Sequence, residues 1–136
     1  MKQTILLLLC LLSFATFAKR VAPLAPLTGT YMLVKYKVNQ KLVTVAGSKT
    51  KISLDQSRET IKVWLGCNSI SGDFSAIGSV IEPLQLTTTE KFCSTRLSKL
   101  EKQFISSMER VNNFKSRSRD LYLYQDEELL MVLRRK

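Results

Sequence analysis

The sequence contains no histidine among its 136 residues. Ser-His-Asp and Cys-His catalytic sites, zinc sites with imidazole ligands and pH switches near neutrality all depend on histidine, so these chemistries are excluded. Acidic residues are also few: 11 Asp and Glu stand against 21 Lys and Arg, which gives a formal charge of +10. A hydrophobic fraction of 45% excludes a disordered basic tail. We therefore expect one folded, basic domain.

The sequence also lacks an apolar run long enough to cross a membrane. The run at residues 5–12 falls short of the ~20 residues that a spanning helix needs. It follows Lys2 and precedes small and polar residues that end at Ala18, a layout typical of a secretory signal peptide. We expect cleavage after Ala18, or alternatively after Ala15, and export of a chain without a transmembrane segment to the periplasm, cell envelope or extracellular space. An uncleaved amphiphilic N-terminus is the other interpretation.

Cysteine is scarce as well, with three residues in the chain. Removal of residues 1–18 also removes Cys10, which leaves Cys67 and Cys93 in a chain routed to an oxidising compartment. An even number of cysteines in that setting favours a disulfide. Two separate buried thiols are the alternative, because the sequence does not give the distance between the two residues.

Hydrophobic periodicity predicts a chain made mainly of short strands. Apolar and polar residues alternate in brief stretches separated by turn residues. Nine such stretches lie at residues 30–38, 42–45, 51–54, 60–65, 74–77, 80–81, 84–86, 121–124 and 129–133. In the first stretch the expected apolar row is Thr30, Met32, Val34, Tyr36 and Val38, with Lys35 and Lys37 on the opposite face. From these stretches we expect seven or eight strands, too many to form a parallel sheet with the few helical residues available, because each parallel pair needs a crossover connection.

One segment changes its period. Between Ser94 and Val111 the apolar residues recur at intervals of three and four, which indicates an amphipathic helix with Ser94 as its N-cap. This pattern is expected to place Glu101 on the solvent side, with the lysines. The sequence therefore predicts an α+β fold, in which a curved antiparallel sheet or half-barrel packs on one α-helix.

A glycine-containing signature lies in the middle of the chain. Its characteristic residues are Gly66, Cys67, Asn68, Ser71 and Gly72. The glycines favour backbone conformations that bulky residues resist, and an asparagine holds a turn through its side-chain amide. The signature is interpreted either as a rigid structural turn or as a recognition surface.

The signature resembles the GCN-x-x-x-G-x-[FY] motif of the META/HslJ-like domain family. The resemblance continues in order along the chain through the following segments: Leu84-Gln85-Leu86, Thr87-Thr88-Thr89, Phe92-Cys93, Leu100-Glu101-x-x-Phe104, Val111-x-x-Phe114 and Leu121-x-Leu123-Tyr124. It divides the chain into a signal peptide at 1–18, a spacer at 19–26 and a META/HslJ-like domain at 27–136.

The resemblance implies a fold and a setting rather than a reaction. Proteins of this family are small secreted or envelope domains, some of them associated with the heat-shock response or with motility. Their implied fold is a half-barrel of antiparallel strands around one helix, which is also similar to lipid-binding pilot proteins of secretion systems. No catalytic residue set belongs to the family, so the resemblance supplies none.

Two functional hypotheses follow. The first is a non-catalytic envelope domain that binds a protein or an apolar ligand in the groove between sheet and helix. The second is a basic surface that binds anionic polymers or membrane surfaces, although a merely solvated face would show the same charge. The candidate basic patch consists of Lys35, Lys37, Lys41, Lys49, Lys51 and Lys62. Nucleic acid is disfavoured as a partner, because export separates the chain from it and no binding motif is present.

An enzyme is the weakest interpretation. The candidate carboxylate pair is Asp73 with Glu82 or Glu90, and the candidate nucleophile is Cys67. The carboxylates carry no motif, and a cysteine without a histidine base is a poor nucleophile, the more so when it is oxidised. We expect no catalytic residues, no metal site and no cofactor.

Overall fold

The computed structural model describes residues 25–45 and 49–136. The predicted signal peptide and residues 19–24 of the predicted spacer lie outside the described residues. The described elements are β1 (Gly29–Val38), β2 (Lys41–Thr44), β3 (Lys51–Asp55), β4 (Thr60–Trp64), β5 (Ser69–Ile77), β6 (Val80–Thr88), α1 (Thr95–Met108), β7 (Asn113–Arg117), β8 (Asp120–Gln125) and β9 (Glu128–Arg135). No helix in this part of the chain has the length and hydropathy that a membrane crossing requires.

The first hairpin forms where the alternating pattern predicts it. The inward face of β1 differs from the prediction in its first half, where Tyr31 and Leu33 are buried instead of Met32 and Val34. A β-bulge between Leu33 and Lys35 reverses the alternation, so Tyr36 packs against the core as predicted. The strand ends at a two-residue turn made by Asn39 and Gln40. Both turn residues have positive φ, 46° and 65°, which a tight hairpin needs to match the twist of its strands. The predicted turn at this position is confirmed.

The sheet closes on itself. One edge of β1 pairs with β3 at its beginning and with β2 at its end, while the other edge pairs with β9. The neighbours then follow in the order β3, β4, β5, β6, β7, β8, β9, so eight strands complete a ring and β2 extends one side of it. The α+β prediction is confirmed. The open half-barrel is wrong, because the ten residues of β1 bond to strands on both edges.

Two strand predictions differ from the structure. Residues 80–81 and 84–86 belong to a single strand, β6, and β7 has no alternating pattern long enough to reveal it. β7 supplies the link between β6 and the last hairpin through a short contact, in which Val80 pairs with Asn113. Two backbone hydrogen bonds flank that pair, from Phe114 N to Ser79 O (2.9 Å) and from Ile81 N to Asn112 O (3.1 Å).

The helix contributes one face to the core of the barrel. Ser94 caps it as predicted, since its side chain accepts a hydrogen bond from the backbone N–H of Leu97 (3.3 Å). Leu100, Phe104 and Met108 belong to the same apolar cluster as the inward-facing strand residues. Burial of each such side chain contributes about 1.5–3 kcal/mol, so the helix is fixed to the sheet mainly by this face.

Candidate functional site

The signature begins with a turn directly after β4 and Leu65. Gly66 has a φ of +129°, a conformation that side chains resist, and a Cβ there would lie 3.0 Å from Cδ2 of Leu97 in α1. The glycine therefore serves two purposes: it turns the chain, and it lets the first turn of the helix approach.

A disulfide joins this turn to the start of the helix. Cys67 and Cys93 are bonded, with their Cα atoms 5.9 Å apart, and Cys93 directly precedes the helix cap Ser94. The two sulfur atoms and a carboxylate oxygen of Glu101 lie within 4.8 Å of one another. Disulfide sulfurs lack the thiolate charge that binds metals, so this group does not form a metal site in the oxidised protein.

Asn68 connects the turn to three other segments. Its Nδ2 donates to Glu101 Oε2 (2.8 Å) and contacts the sulfur of Cys93 (3.1 Å). Its Oδ1 accepts from the hydroxyl of Thr89 and from the backbone N–H of Lys91, both at 2.9 Å. Every polar atom of this buried amide is thus engaged, as burial requires. These contacts join the turn to Thr89, Lys91 and the helix.

Glu101 is the member of this network that the sequence pattern misplaced. The pattern put its side chain on the solvent face of α1, but the residue is buried, with 4% of its surface exposed. Besides the bond from Asn68 Nδ2, its carboxylate accepts the backbone N–H of Asn68 (2.7 Å). Two donors from one residue compensate part of the cost of burying the carboxylate. Because the polar atoms of this network form hydrogen bonds with one another, we interpret the network as one that stabilises the fold.

The remaining signature residues do not belong to the turn. Ser71 and Gly72 lie within β5, where they pair with β4 on one side and β6 on the other. Gly72 is required for another reason than expected: a Cβ there would lie 2.6 Å from the carbonyl oxygen of Gln85 and 2.8 Å from Cδ2 of Leu86. The glycine therefore permits the close approach of β6.

The structure distributes the predicted basic patch over several surfaces. Lys51 and Lys62 share the outer face of the β3–β4 hairpin and line one shallow depression there. Lys35 is exposed on β1 at the edge shared with β9, and Lys41 is exposed on β2. Of the six lysines, the β3–β4 hairpin thus brings two together.

Two further lysines have separate environments. Lys37 forms an ion pair with Glu128, and the hydrogen bond from Lys37 holds the pKa of Glu128 below its ordinary value. Lys49 lies two residues before the start of β3 and lines a cleft beside the helix. The candidate carboxylates Asp73, Glu82 and Glu90 lie in β5, in β6 and after β6, all of them exposed.

The cleft beside the helix, here called the Trp64 cleft, has a volume of about 460 Å³. It lies where β1, β2 and the end of β4 meet the first two turns of α1. Its lining residues are Tyr36, Val43, Thr44, Val45, Lys49, Trp64, Leu65, Gly66, Arg96, Leu97 and Leu100. The lining combines aromatic and aliphatic side chains with two cations, and it includes no carboxylate.

A second cleft of about 520 Å³ lies between α1 and residues 88–92. Phe92 is fully exposed at its rim, and Asn68 and Glu101 form part of its floor. Its lining carries both signs of charge, since Glu90 and Lys102 also contribute to it. The sequence pattern identified neither cleft. The Trp64 cleft is formed by elements that are distant along the chain, and the second cleft depends on the helix and the preceding segment folding against each other.

A solved structure, described as the NMR structure of the protein from Burkholderia xenovorans, shares this fold. The two chains superpose with a TM-score of 0.65 at 16% sequence identity, over 80% of this chain and 82% of that one. Such low identity shows the fold alone. No curated protein matches the chain in sequence. The family model described as META domain matches residues 24–136, which include every strand and the helix. The chain therefore belongs to the META domain family.

Proposed function

We propose that this protein is an exported, non-catalytic domain that binds an apolar ligand carrying a negative charge in the Trp64 cleft. The observation that carries the proposal is the composition of the cleft. Trp64 and Val43 are each 40% exposed there, so apolar surface faces solvent in a concave site. Contact with a ligand would bury this surface, and tryptophan offers a large area for such contact.

The positive charge of the cleft favours a ligand that carries a negative charge. Lys49 and Arg96 are both exposed, and they line the cleft together with apolar residues. Because no carboxylate lines the cleft, both cations are available to an anionic group. The second cleft includes Glu90 as well as Lys102, so its side chains do not favour an anionic ligand over a cationic one to the same degree.

The flank of the helix is a better binding site than the space between helix and sheet. That space is filled: Phe74 and Phe104 are at most 1% exposed and belong to one continuous apolar cluster. A packed interior of this kind has no room for a ligand without displacement of core side chains. The first hypothesis from the sequence is therefore retained, with its groove moved to the Trp64 cleft.

Three observations support a non-catalytic role. The sequence has no histidine, Cys67 is bonded to Cys93, and the buried carboxylate of Glu101 is engaged by Asn68. The histidine base is thus absent, and the candidate cysteine nucleophile and the one buried carboxylate among the described residues are already engaged. The setting that we propose is envelope maintenance or the stress response, which the META/HslJ-like resemblance favours.

Fluorescence titration tests the binding directly, because Trp64 is the one tryptophan of the sequence. Sodium decanoate, kept below its micellar range, is the anionic probe, and decanol is the neutral probe of equal chain length. We expect saturable changes in Trp64 emission, with decanoate bound more tightly than decanol. In the Lys49→Glu/Arg96→Glu variant, the affinity for decanoate should fall about tenfold or more.

The matched control is Lys41→Glu/Lys115→Glu, which reverses the same number of exposed charges, on β2 and β7, outside the cleft lining. Its affinity for decanoate should stay close to that of the wild type. Absence of a saturable response, or equal affinity in the double variant, would overturn the proposed function. Export has its own test: the N-terminus of the protein recovered from outside the cytoplasm should be Lys19.

A further inference from the structure

A basic and aromatic surface covers the outside of the last part of the barrel, far along the chain from the predicted lysine patch. Lys115 and Arg117 lie on β7, and Tyr122 and Tyr124 lie on β8. Their neighbours Phe114, Leu121 and Leu123 are buried, so strand alternation places these four side chains on the outer face. We call these four residues the β7–β8 face.

The four side chains form one connected site. Lys115 lies directly opposite Tyr122 in the strand register, and its ammonium nitrogen lies 5.1 Å from the centre of the Tyr124 ring. A depression of about 340 Å³ is lined by these residues together with Ser116. The cation–π contact fixes the lysine beside the two rings without neutralising its charge.

The cations of this face keep their charge available. The described residues form three ion pairs, and neither Lys115 nor Arg117 belongs to any of them. The carboxylate opposite Arg117 in the register is Asp120, and both of its oxygens accept hydrogen bonds from Arg134, at 2.7 and 3.1 Å. An anionic partner therefore meets two cations outside these ion pairs, and the carboxylate opposite Arg117 is already engaged.

The face also extends in one direction across the sheet. Tyr122 pairs with Val132 of β9, and Val132 pairs with Lys35 of β1. Lys115 and Lys35 thus stand at the two ends of a row that crosses four strands, a distance of about 14 Å at the usual strand spacing. A row of this length fits a chain that carries repeated negative charges better than it fits a single small anion.

We propose that the β7–β8 face binds an acidic polysaccharide, a chain of sugar rings that carry sulfate or carboxylate groups. Tyrosine rings give an apolar contact to the C–H faces of sugar rings, and their hydroxyls give hydrogen bonds to sugar hydroxyls. Lys115, Arg117 and Lys35 pair with the acidic groups. Export, proposed above, favours a polysaccharide over a nucleic acid as the polymer that this surface meets.

Affinity measurement with heparin as the acidic probe tests the proposal, with dextran as the neutral polysaccharide and a single-stranded oligonucleotide as the competing polyanion. The Lys115→Gln/Arg117→Gln variant should bind heparin at least fivefold more weakly than the wild type. The Lys51→Gln/Lys62→Gln variant is the matched control, because it removes the same charge from another exposed outer face. Its affinity should stay within twofold of the wild type.

Tyr122→Ser separates ring contact from charge: it should weaken heparin binding severalfold and leave the salt dependence unchanged. Equal losses of heparin affinity in the two double variants would overturn the proposal. They would show that heparin responds to the total positive charge of the protein and not to the β7–β8 face. Equal binding of dextran, or tighter binding of the oligonucleotide than of heparin, would overturn it as well. The thermal unfolding midpoint of the Lys115→Gln/Arg117→Gln variant should match that of the wild type, which confirms its folding without reliance on the Trp64 cleft.

Discussion

The buried carboxylate of Glu101 in α1 accepts two hydrogen bonds from one residue, Asn68, whose backbone N–H and side-chain amide both donate to it. This contact joins the turn after β4 to the middle of the helix. The Cys67–Cys93 disulfide joins the same turn to the start of the helix. The family signature thus fixes the helix against the barrel at two points, and this arrangement holds Leu97 and Leu100 at the Trp64 cleft.

The first prediction concerns the acceptor in this contact. Glu101→Gln replaces one carboxylate oxygen by an amide NH2 group, which is itself a donor. One of the two N–H donors of Asn68 then faces this donor and has no acceptor. We expect a loss of roughly 1–3 kcal/mol in the free energy of unfolding, the cost of a buried donor left without its acceptor. Urea denaturation measures it. Glu109→Gln at the exposed C-cap of the same helix is the control, and an equal loss there would contradict the role of Glu101.

The second prediction concerns the disulfide. The bond closes a loop with a sequence separation of 26, so its removal should lower the free energy of unfolding by roughly 3.5 kcal/mol if the chain-entropy account holds. Urea denaturation with and without a reductant measures the change in the wild type. The Cys67→Ser/Cys93→Ser variant should have the lower stability and show no response to the reductant. A wild type that is insensitive to complete reduction would contradict the prediction.

The third prediction separates the two kinds of glycine in the barrel. Gly72→Ala should destabilise the protein by about 1–3 kcal/mol, because the new Cβ meets a backbone carbonyl of β6. Gly78→Ala at the tip of the β5–β6 hairpin should cost about 1 kcal/mol or less, since its Cβ meets no atom within 4 Å and only its φ of +60° is unfavourable. Thermal unfolding compares the two variants. A larger loss at Gly78 would show that the close approach of β6 is unimportant.

The fourth prediction is a pH dependence. The hydrogen bond from Arg134 holds the pKa of Asp120 below its ordinary value. Because the folded-state pKa is the lower one, the pair stabilises the protein above the unfolded pKa of about 3.9, and this contribution is lost as the pH falls through the folded pKa. Asp120→Asn should therefore be less stable than the wild type at neutral pH, and the difference should shrink on acidification. A difference that is constant from neutral pH to about pH 2 would contradict the assignment.

The sequence predicted the parts of the fold that local patterns control. The position of β1, the turn at Asn39 and Gln40, and the cap at Ser94 depend on neighbouring residues, and each is confirmed. The inward face of β1 is not, because the bulge between Leu33 and Lys35 arises in the pairing with distant β9. Closure of the barrel depends instead on a short pairing between Val80 and Asn113, which no local pattern specifies. An open sheet and a closed one therefore have nearly the same sequence signature.

The candidate site could likewise be predicted only where it depends on residues close together in the sequence. The sequence pattern put Glu101 on the polar side of the helix with the lysines, although it lies four residues after Leu97 and three before Phe104, a spacing that also brings it beside the apolar stripe. Its burial depends on the two donors of Asn68, more than thirty residues earlier in the chain. The Trp64 cleft likewise needs β1, β2, β4 and α1 together, and only the folded chain brings them into contact.

An amide NMR titration of the protein with sodium decanoate tests binding in the Trp64 cleft residue by residue. We expect saturable shifts concentrated at residues of the Trp64 cleft, above all Val43, Lys49, Trp64 and Leu97, with little change around Phe92 in the second cleft. Shifts that centre on Phe92, or that spread evenly over the barrel without saturation, would contradict it.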